Sequence, residues 1–346
     1  MSVIIGVDPH KASHTAVALD DREKPLGQRR IRAGQNQAEE LLKWAVEFPE
    51  RSWAIESAGG LGYLLSQQLV AAGEAVFDVP ATLASRVRVL GTGRSNKNDP
   101  NDATSVAVAA LRSPGLRQVS AVGHSEILRL LAKRNTDIGN LRCQAVERVH
   151  ALVAELSGGG IDKELYASDL QRFLDHFVPA TEAERIRVEL VAELLEDIRR
   201  LDAQLKASRR RIRDAVRASG SSVTEIFGVG PIIAAMLIGY SGEIRRFASG
   251  DRYAAYNGTA PVEFSSGGRV AHRLSRRGNR HLNHAIHMAA ICQLRQSHSE
   301  GRAYFDRRVA EGKTKREALR ALKRHLSNAV YRHLVADAGR VAAAAR

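Results

Sequence analysis

The chain has 346 residues, a formal net charge of +14 at pH 7 and two cysteines. Its length allows two or three domains with hydrophobic cores, and two widely separated cysteines exclude a disulfide framework. The longest apolar stretch, residues 231–240, is about half a membrane span, and Asp8, His10 and Lys11 near the start exclude a secretory signal. We therefore expect a soluble, cytoplasmic protein with a polyanionic partner such as nucleic acid.

The basic residues are unevenly distributed along the chain. Residues 1–112 hold 13 Lys and Arg against 13 Asp and Glu, whereas residues 261–346 hold 18 against 6. This distribution predicts a neutral N-terminal domain and a nucleic-acid-binding surface near the C-terminal end.

The first third of the chain alternates strand-like and helix-like patterns. Apolar runs predict five strands, at residues 3–8, 15–19, 28–31, 53–56 and 75–79. Helical patterns fall between and after them, at residues 36–46, 60–72, 81–90 and 102–111, before a boundary at residues 113–115. Three successive strands, followed by helices that alternate with strands, are the order of a ribonuclease-H-like α/β fold.

Four acidic residues, named here the acidic tetrad, lie at the ends of these elements. Asp8 ends the first predicted strand and Glu56 the fourth, and Asp99 and Asp102 stand where a loop turns into a helix. Convergent carboxylates without a basic partner repel one another unless a divalent metal neutralises them. The tetrad therefore predicts a two-metal phosphodiester site. For Asp99 alone, a helix N-cap before Pro100 is the alternative.

The middle of the chain is predicted to be helical. One helix is expected over residues 125–156, and a capping box at residues 181–184 starts a second helix that reaches about residue 216. The second helix carries apolar positions at heptad spacing, namely Val191, Leu194, Ile198, Leu201, Leu205, Ser208 and Ile212. This seam pairs either with the earlier helix or with another subunit, and the sequence leaves both open.

The last third begins with a glycine-rich turn at residues 226–231, followed by an apolar helix at 232–238. The pattern predicts a helix-hairpin-helix element in which Gly228 and Gly230 present backbone N–H groups to a phosphate. An ordinary turn before a buried helix is the alternative. The Arg-rich segment at residues 302–334 is predicted to be helical and to follow a phosphate backbone.

Several short segments together form a specific pattern. They are Ile-Gly-Val-Asp at residues 5–8, Ile-Glu-Ser-Ala-Gly at 55–59, Asn-Lys-Asn-Asp-Pro-Asn-Asp-Ala at 96–103, and the C-terminal runs at 257–268 and 274–279. In this order and spacing the chain resembles the DEDD transposases of bacterial insertion sequences, relatives of the pilin-gene invertases. The resemblance implies a RuvC-like domain at residues 1–115, a helical coiled-coil region at 116–218 and a C-terminal transposase domain at 219–346.

The resemblance also implies the chemistry. The acidic tetrad would hold Mg²⁺, as two ions, and a serine of the Ser-Gly turn would be the nucleophile. This serine maps to Ser266, which directly precedes Gly267, although the adjacent Ser265 leaves two candidates. Attack on the scissile phosphate would form a covalent phosphoserine, which preserves the bond energy for rejoining.

The partners implied by the resemblance are donor and target DNA, a structured bridge RNA that pairs with both, and further copies of the chain, as dimers that assemble into a tetramer. A location at the bacterial nucleoid follows. Lys97 is a candidate phosphate contact, with a solvated lysine as the alternative. Four arginines that follow the proposed nucleophile are predicted to hold the DNA backbone, or else to form a solvated face, namely Arg273, Arg276, Arg277 and Arg280.

Three other functions are compatible with parts of the sequence. A RuvC-like endonuclease or Holliday-junction resolvase would use the acidic tetrad and water, without a covalent serine intermediate. A nucleic-acid-binding scaffold would retain the basic surface without catalysis. A sugar-kinase-like ATPase also opens with a strand that ends in Asp, but it needs glycine-rich phosphate loops that this sequence lacks.

Overall fold

The computed structural model describes residues 2–92, 99–113, 115–161, 165–266, 269–274 and 278–344, with the backbone alone at 90–92, 262–266, 269–274 and 344. Contacts divide the chain into two compact units, Met1–Gly123 and His124–Arg346. The C-terminal unit contains both the predicted coiled-coil helices and the helices of the predicted transposase domain, whose separation stays a prediction of the sequence.

A six-stranded sheet of order β3-β2-β1-β4-β5-β6 forms the centre of the N-terminal unit. Its strands are β1 (Val3–Pro9), β2 (Ser13–Leu19), β3 (Pro25–Arg32), β4 (Arg51–Glu56), β5 (Val76–Val79) and β6 (Arg117–Gln118). The first three are antiparallel, and β4 and β5 continue parallel to β1. This topology confirms the predicted ribonuclease-H-like fold. The sequence does not predict β6, because two residues carry no periodicity.

Helices cover both faces of the sheet. They are α1 (Gln37–Ala45), α2 (Tyr63–Ala71), α3 (Ala81–Thr92) and α4 (Asp99–Leu111). All of β1 is buried, as expected for a strand with helices on both sides. The prediction that α4 begins at Asp102 is wrong by three residues, because Pro100 is tolerated in the first helical turn and the acidic residues there favour the helix dipole.

Two long helices of the C-terminal unit, α5 (His124–Ala154) and α7 (Glu182–Ala218), pack against each other, with α6 (Ala167–His176) between them in the chain. Val153 shares a core with Val191, and Ile138 shares one with Leu205, so the helices run antiparallel. The heptad seam is therefore buried within one chain. Leu195 is more deeply buried than the predicted Leu194.

The remaining elements of the C-terminal unit begin with an apolar helix. They are α8 (Pro231–Ser241), α9 (Gly250–Tyr256), β7 (Pro261–Ser266), β8 (Arg269–Leu274), α10 (Arg280–Arg295), α11 (Glu300–Ala310) and α12 (Lys315–Ala344). The apolar helix, α8, packs against α5, α7 and α10. The segment predicted to be helical at residues 302–334 forms two helices, α11 and α12, because Gly312, at φ +91°, adopts the left-handed conformation that ends α11. Across the described part of the chain, no helix is both long and apolar enough to cross a membrane.

Candidate metal centre

Three members of the acidic tetrad line one cleft of the N-terminal unit. Val7 of β1 pairs with Ile55 of β4, so the next residues along these parallel strands, Asp8 and Glu56, lie side by side. Together with Asp102 of α4 they line a cavity of about 580 Å³. The predicted convergence of carboxylates at the strand ends is thus present in the structure.

Close packing of α4 on β1 places Asp102 beside Asp8. A Cβ atom at Gly6 would overlap the carbonyl oxygen of Ala103 and would lie 2.6 Å from the backbone nitrogen of Ala107. Only glycine allows this approach of a helix to a strand, since any other residue would push the two backbones apart. Gly6 is therefore a structural requirement of the cleft.

Asp99 joins the others through His10. The Nδ1 atom of His10 lies 3.5 Å from Asp8 Oδ1, and its Nε2 atom lies 3.5 Å from Asp99 Oδ1. Arg30 of β3 also reaches Asp99, with Nη2 3.4 Å from Oδ2. Among the described residues, Asp8, His10 and Asp99 form a group whose potential ligand atoms all lie within 4.8 Å of one another. The sequence offered a signal for His10, because it stands two residues after a strand-end aspartate.

The environment of the Asp8 carboxyl group disfavours its charged form. Burial raises its pKa to about 6, from an ordinary value of 3.8, against a lowering by His10. The charges of Glu56 and Asp102 contribute to this raised value. Within the described residues, Oδ2 of Asp8 is buried and has no hydrogen-bond partner. An unsatisfied buried carboxylate oxygen is costly, and a bound cation would satisfy it.

The donor set fits a divalent metal. Carboxylate oxygens are the ligands that Mg²⁺ prefers, and rigid strand ends hold two of them, Asp8 and Glu56, side by side. Asp102 and Asp99 add carboxylates from the first turn of α4. The orphaned Asp8 oxygen and the clustered acids are both expected of such a site.

The carboxylates of the cleft have basic partners, whereas the prediction from the sequence assumed that they have none. Arg88 of α3 forms an ion pair with Asp102 Oδ1 inside the cleft, and this contact raises the pKa of the guanidinium. Arg88 is not among the site residues predicted from the sequence. Its signal lies in the face of α3 that lines the cleft, where Ala81, Ala84, Ser85 and Arg88 follow at helical spacing.

The other predicted site residues belong to the C-terminal unit or lie outside the described residues. Ser266 is the last residue of β7, opposite Arg269 of β8. Ser265 pairs with Val270, and Arg273 pairs with Val262. Arg280 is the exposed first residue of α10. Lys97, Arg276 and Arg277 are outside the described residues.

In the turn before α8, packing and backbone conformation explain one of the two glycines, Gly228. Gly228 has φ +84°, and a Cβ there would lie 2.9 Å from the carbonyl oxygen of Ala289 in α10. Gly230 is exposed, and its Cβ would meet open space at the start of α8. The helix-hairpin-helix role of this turn stays a prediction, with Gly230 as its exposed part.

Comparison with known proteins gives matches over most of the chain. A transposase family model of the DEDD, IS110 type matches residues 5–157, and the model described as "Transposase IS116/IS110/IS902 family" matches residues 220–306. The "Insertion element IS116 uncharacterized 44.8 kDa protein" of Streptomyces clavuligerus is 26% identical and covers 92% of this chain and 91% of its own. The "Insertion element IS900 uncharacterized 42 kDa protein" of Mycobacterium paratuberculosis is 25% identical over 94% of both chains.

Two further similarities are more limited. The "Transposase for insertion sequence element IS1111A" of Coxiella burnetii is 27% identical over 80% of this chain and 73% of its own. Among solved structures, "T. thermophilus RuvC in complex with Holliday junction substrate" aligns with 34% of this chain and 100% of that chain. Its sequence identity is 12% and its TM-score 0.27.

Proposed function

The chain belongs to the DEDD-type transposases of insertion sequences, enzymes that cut and rejoin DNA, and we propose that it does so through a covalent phosphoserine on Ser266. The acidic tetrad would hold Mg²⁺, as two ions, at the cleft of the N-terminal unit. The observation that carries this proposal is the convergence of Asp8, Glu56 and Asp102 on that cleft, together with the unsatisfied buried oxygen of Asp8.

Each residue has a defined task in this mechanism. When bound, Mg²⁺ neutralises charge at the scissile phosphate and lowers the cost of generating the attacking and leaving oxygens. Asp8 and Glu56 present their oxygens from strand ends that the buried sheet keeps rigid. The Ser266 oxygen forms a bond to phosphorus while the bond from phosphorus to the leaving DNA oxygen breaks, and the serine proton ends on that oxygen. A DNA hydroxyl then forms a bond to phosphorus while the bond from phosphorus to the Ser266 oxygen breaks, its proton ends on the serine oxygen, and the phosphodiester is restored.

We further propose that a bridge RNA pairs with donor and target DNA. We also propose that dimers assemble into a tetramer in which the acids of one subunit act together with the serine of another. The support for these two proposals is the family resemblance and the charge of residues 124–346, which hold 38 Lys and Arg against 25 Asp and Glu. The location of the acids and of Ser266 in separate compact units is compatible with sharing between subunits.

A denaturing-gel assay for a covalent protein–DNA adduct tests the phosphoserine. Wild type, Ser266→Ala and the matched control Ser265→Ala are each incubated with Mg²⁺, RNA from the flank of the element, and labelled donor and target DNA. We expect an adduct with wild type and Ser265→Ala, and none with Ser266→Ala. An adduct that disappears only in Ser265→Ala would move the nucleophile to Ser265.

A RuvC-like endonuclease or resolvase that activates water is the second candidate. The observation in its favour is that the cleft with Asp8, Glu56 and Asp102 lies wholly within the N-terminal unit. Nicked DNA without an adduct in any of the three proteins would establish this function in place of the phosphoserine mechanism.

A further inference from the structure

The helix α7 changes its charge halfway along its length. Residues 182–200 hold six acidic and four basic residues, whereas residues 201–218 hold two acidic and six basic ones. Both halves pack on α5 through the same buried seam. The difference therefore lies in the solvent-facing surface and not in the packing.

In the first half, all four arginines form ion pairs with carboxylates. Arg185 contacts Glu182 and Glu189, and Arg187 contacts Glu155, the residue after the end of α5. Arg199 contacts Glu196, and Arg200 contacts Asp197. These charges are balanced within the protein and need no partner outside it.

In the second half, six basic residues are exposed: Lys206, Arg209, Arg210, Arg211, Arg213 and Arg217. Within the described parts of the chain, none of them forms an ion pair with a carboxylate. One of the two acids of this half, Asp202, is already paired with Arg142 of α5 at 2.5 Å, and Asp214 is the other. This segment thus keeps a surplus of positive charge at its surface.

Four of these residues lie on one line, which we name the basic stripe: Lys206, Arg210, Arg213 and Arg217. Their spacing of four, three and four residues places them on one helix face over about 17 Å, at 1.5 Å rise per residue. The neighbouring face, with Ser208, Ile212 and Val216, is buried in the seam. The seam fixes the rotation of α7 and so holds the basic stripe toward solvent.

We propose that the basic stripe binds the sugar–phosphate backbone of duplex DNA. Duplex DNA carries about one negative charge per 1.7 Å of its axis, so a piece of duplex as long as the basic stripe carries about ten phosphate charges. Guanidinium groups bind phosphate oxygens through two parallel hydrogen bonds, and such contacts need no particular base sequence. The inference rests on the proposed function only in taking DNA, rather than RNA, as the occupant.

The test is the salt dependence of DNA binding by the full-length chain. A fluorescent duplex of about 40 base pairs and mixed sequence is titrated in EDTA, at several salt concentrations, and the slope of log K against log [salt] is measured. The stripe variant carries Lys206→Gln, Arg210→Gln, Arg213→Gln and Arg217→Gln. The matched control carries Arg185→Gln, Arg187→Gln, Arg199→Gln and Arg200→Gln, and therefore loses the same charge from the same helix.

We expect the slope of the stripe variant to be shallower by about three to four, because each lost phosphate contact removes about 0.9. The control should retain the wild-type slope to within about one. Circular dichroism and thermal melting verify that each variant is folded. If the fourfold variant does not fold, the double variant Arg210→Gln with Arg213→Gln should give half of the expected change in slope. An unchanged slope, or an equal loss in both fourfold variants, overturns the inference.

A duplex RNA of the same length distinguishes the two nucleic acids. A loss confined to RNA would assign the basic stripe to RNA and overturn the assignment to DNA. The measurement uses no metal and scores no cleavage, so its outcome does not depend on whether a phosphoserine forms. A failed adduct assay would therefore leave this result unaffected, and the reverse also holds.

Discussion

The cleft of the N-terminal unit and the basic stripe of the C-terminal unit differ in how their charges are neutralised. In the cleft, Asp102 is paired with Arg88, and His10 contacts both Asp8 and Asp99. The basic stripe has no such carboxylate partners among the described residues. A bound metal would therefore compete with cations that the protein already supplies, whereas the stripe depends on a ligand for its neutralisation. The two regions thus differ in whether the protein itself supplies the opposite charge: it does so in the cleft, and among the described residues it does not do so at the basic stripe.

The largest expected effect is at the unsatisfied carboxylate of the cleft. Asp8→Asn keeps the shape of the side chain and removes its charge, so we expect strand cleavage to fall by about 10³-fold, since metal neutralisation contributes several kcal/mol. The exposed Asp21→Asn, in the same unit, is the control. Nicking is measured on labelled DNA, and duplex binding in EDTA should stay unchanged. A folded Asp8→Asn that nicks at the wild-type rate would remove Asp8 from the metal site.

The next effect concerns the packing that brings the acids together. Gly6→Ala should destabilise the protein by about 3 kcal/mol, because the new methyl group overlaps the backbone of α4. Gly27→Ala is a matched control in β3, where the nearest atom to a new Cβ is 3.6 Å away. Urea unfolding measures both. Equal midpoints for the two variants would show that α4 adjusts and that Gly6 does not define the cleft.

A smaller effect is expected at the cation inside the cleft. Arg88→Met removes the partner of Asp102, so a metal no longer competes with a guanidinium, and we expect affinity for Mn²⁺ to rise about fivefold at pH 8. Arg86→Met, exposed on the same helix, should leave the affinity unchanged. Calorimetric titration without nucleic acid measures both. Weaker Mn²⁺ binding in Arg88→Met would instead make Arg88 a support for the geometry of Asp102.

The sequence predicts the order of strands and helices along the N-terminal unit and the position of the acids because both follow from local pattern. Apolar runs mark β1 and β4, and each ends at its carboxylate, Asp8 or Glu56. The contacts of Arg88 and His10 were missed, since they depend on how α3 and α4 pack on the sheet rather than on periodicity. The heptad seam predicts a partner helix but not its identity, because apolar spacing is the same for a partner within the chain and for one in another subunit.

The smallest effect contrasts Asp8 with Asp337 of α12, a carboxylate whose hydrogen bonds are satisfied. Burial raises the pKa of Asp337, but hydrogen bonds from Ser221 and Ser222 and the charge of Arg340 outweigh it, so the pKa lies below its ordinary value of 3.8. The folded state therefore binds fewer protons than the unfolded state near that pH, and the stabilisation is present above about pH 4 and lost as pH falls through the lowered pKa.

Asp337→Asn should cost about 1 kcal/mol at pH 7, and the difference from wild type should vanish as the pH falls well below 4. The exposed Asp306→Asn, on α11, is the control, because it loses only a surface ion pair with Arg302. Urea midpoints at several pH values measure the difference. A cost that persists unchanged at low pH would show that Asp337 acts through neutral hydrogen bonds, and its contrast with Asp8 would then be one of geometry rather than of charge.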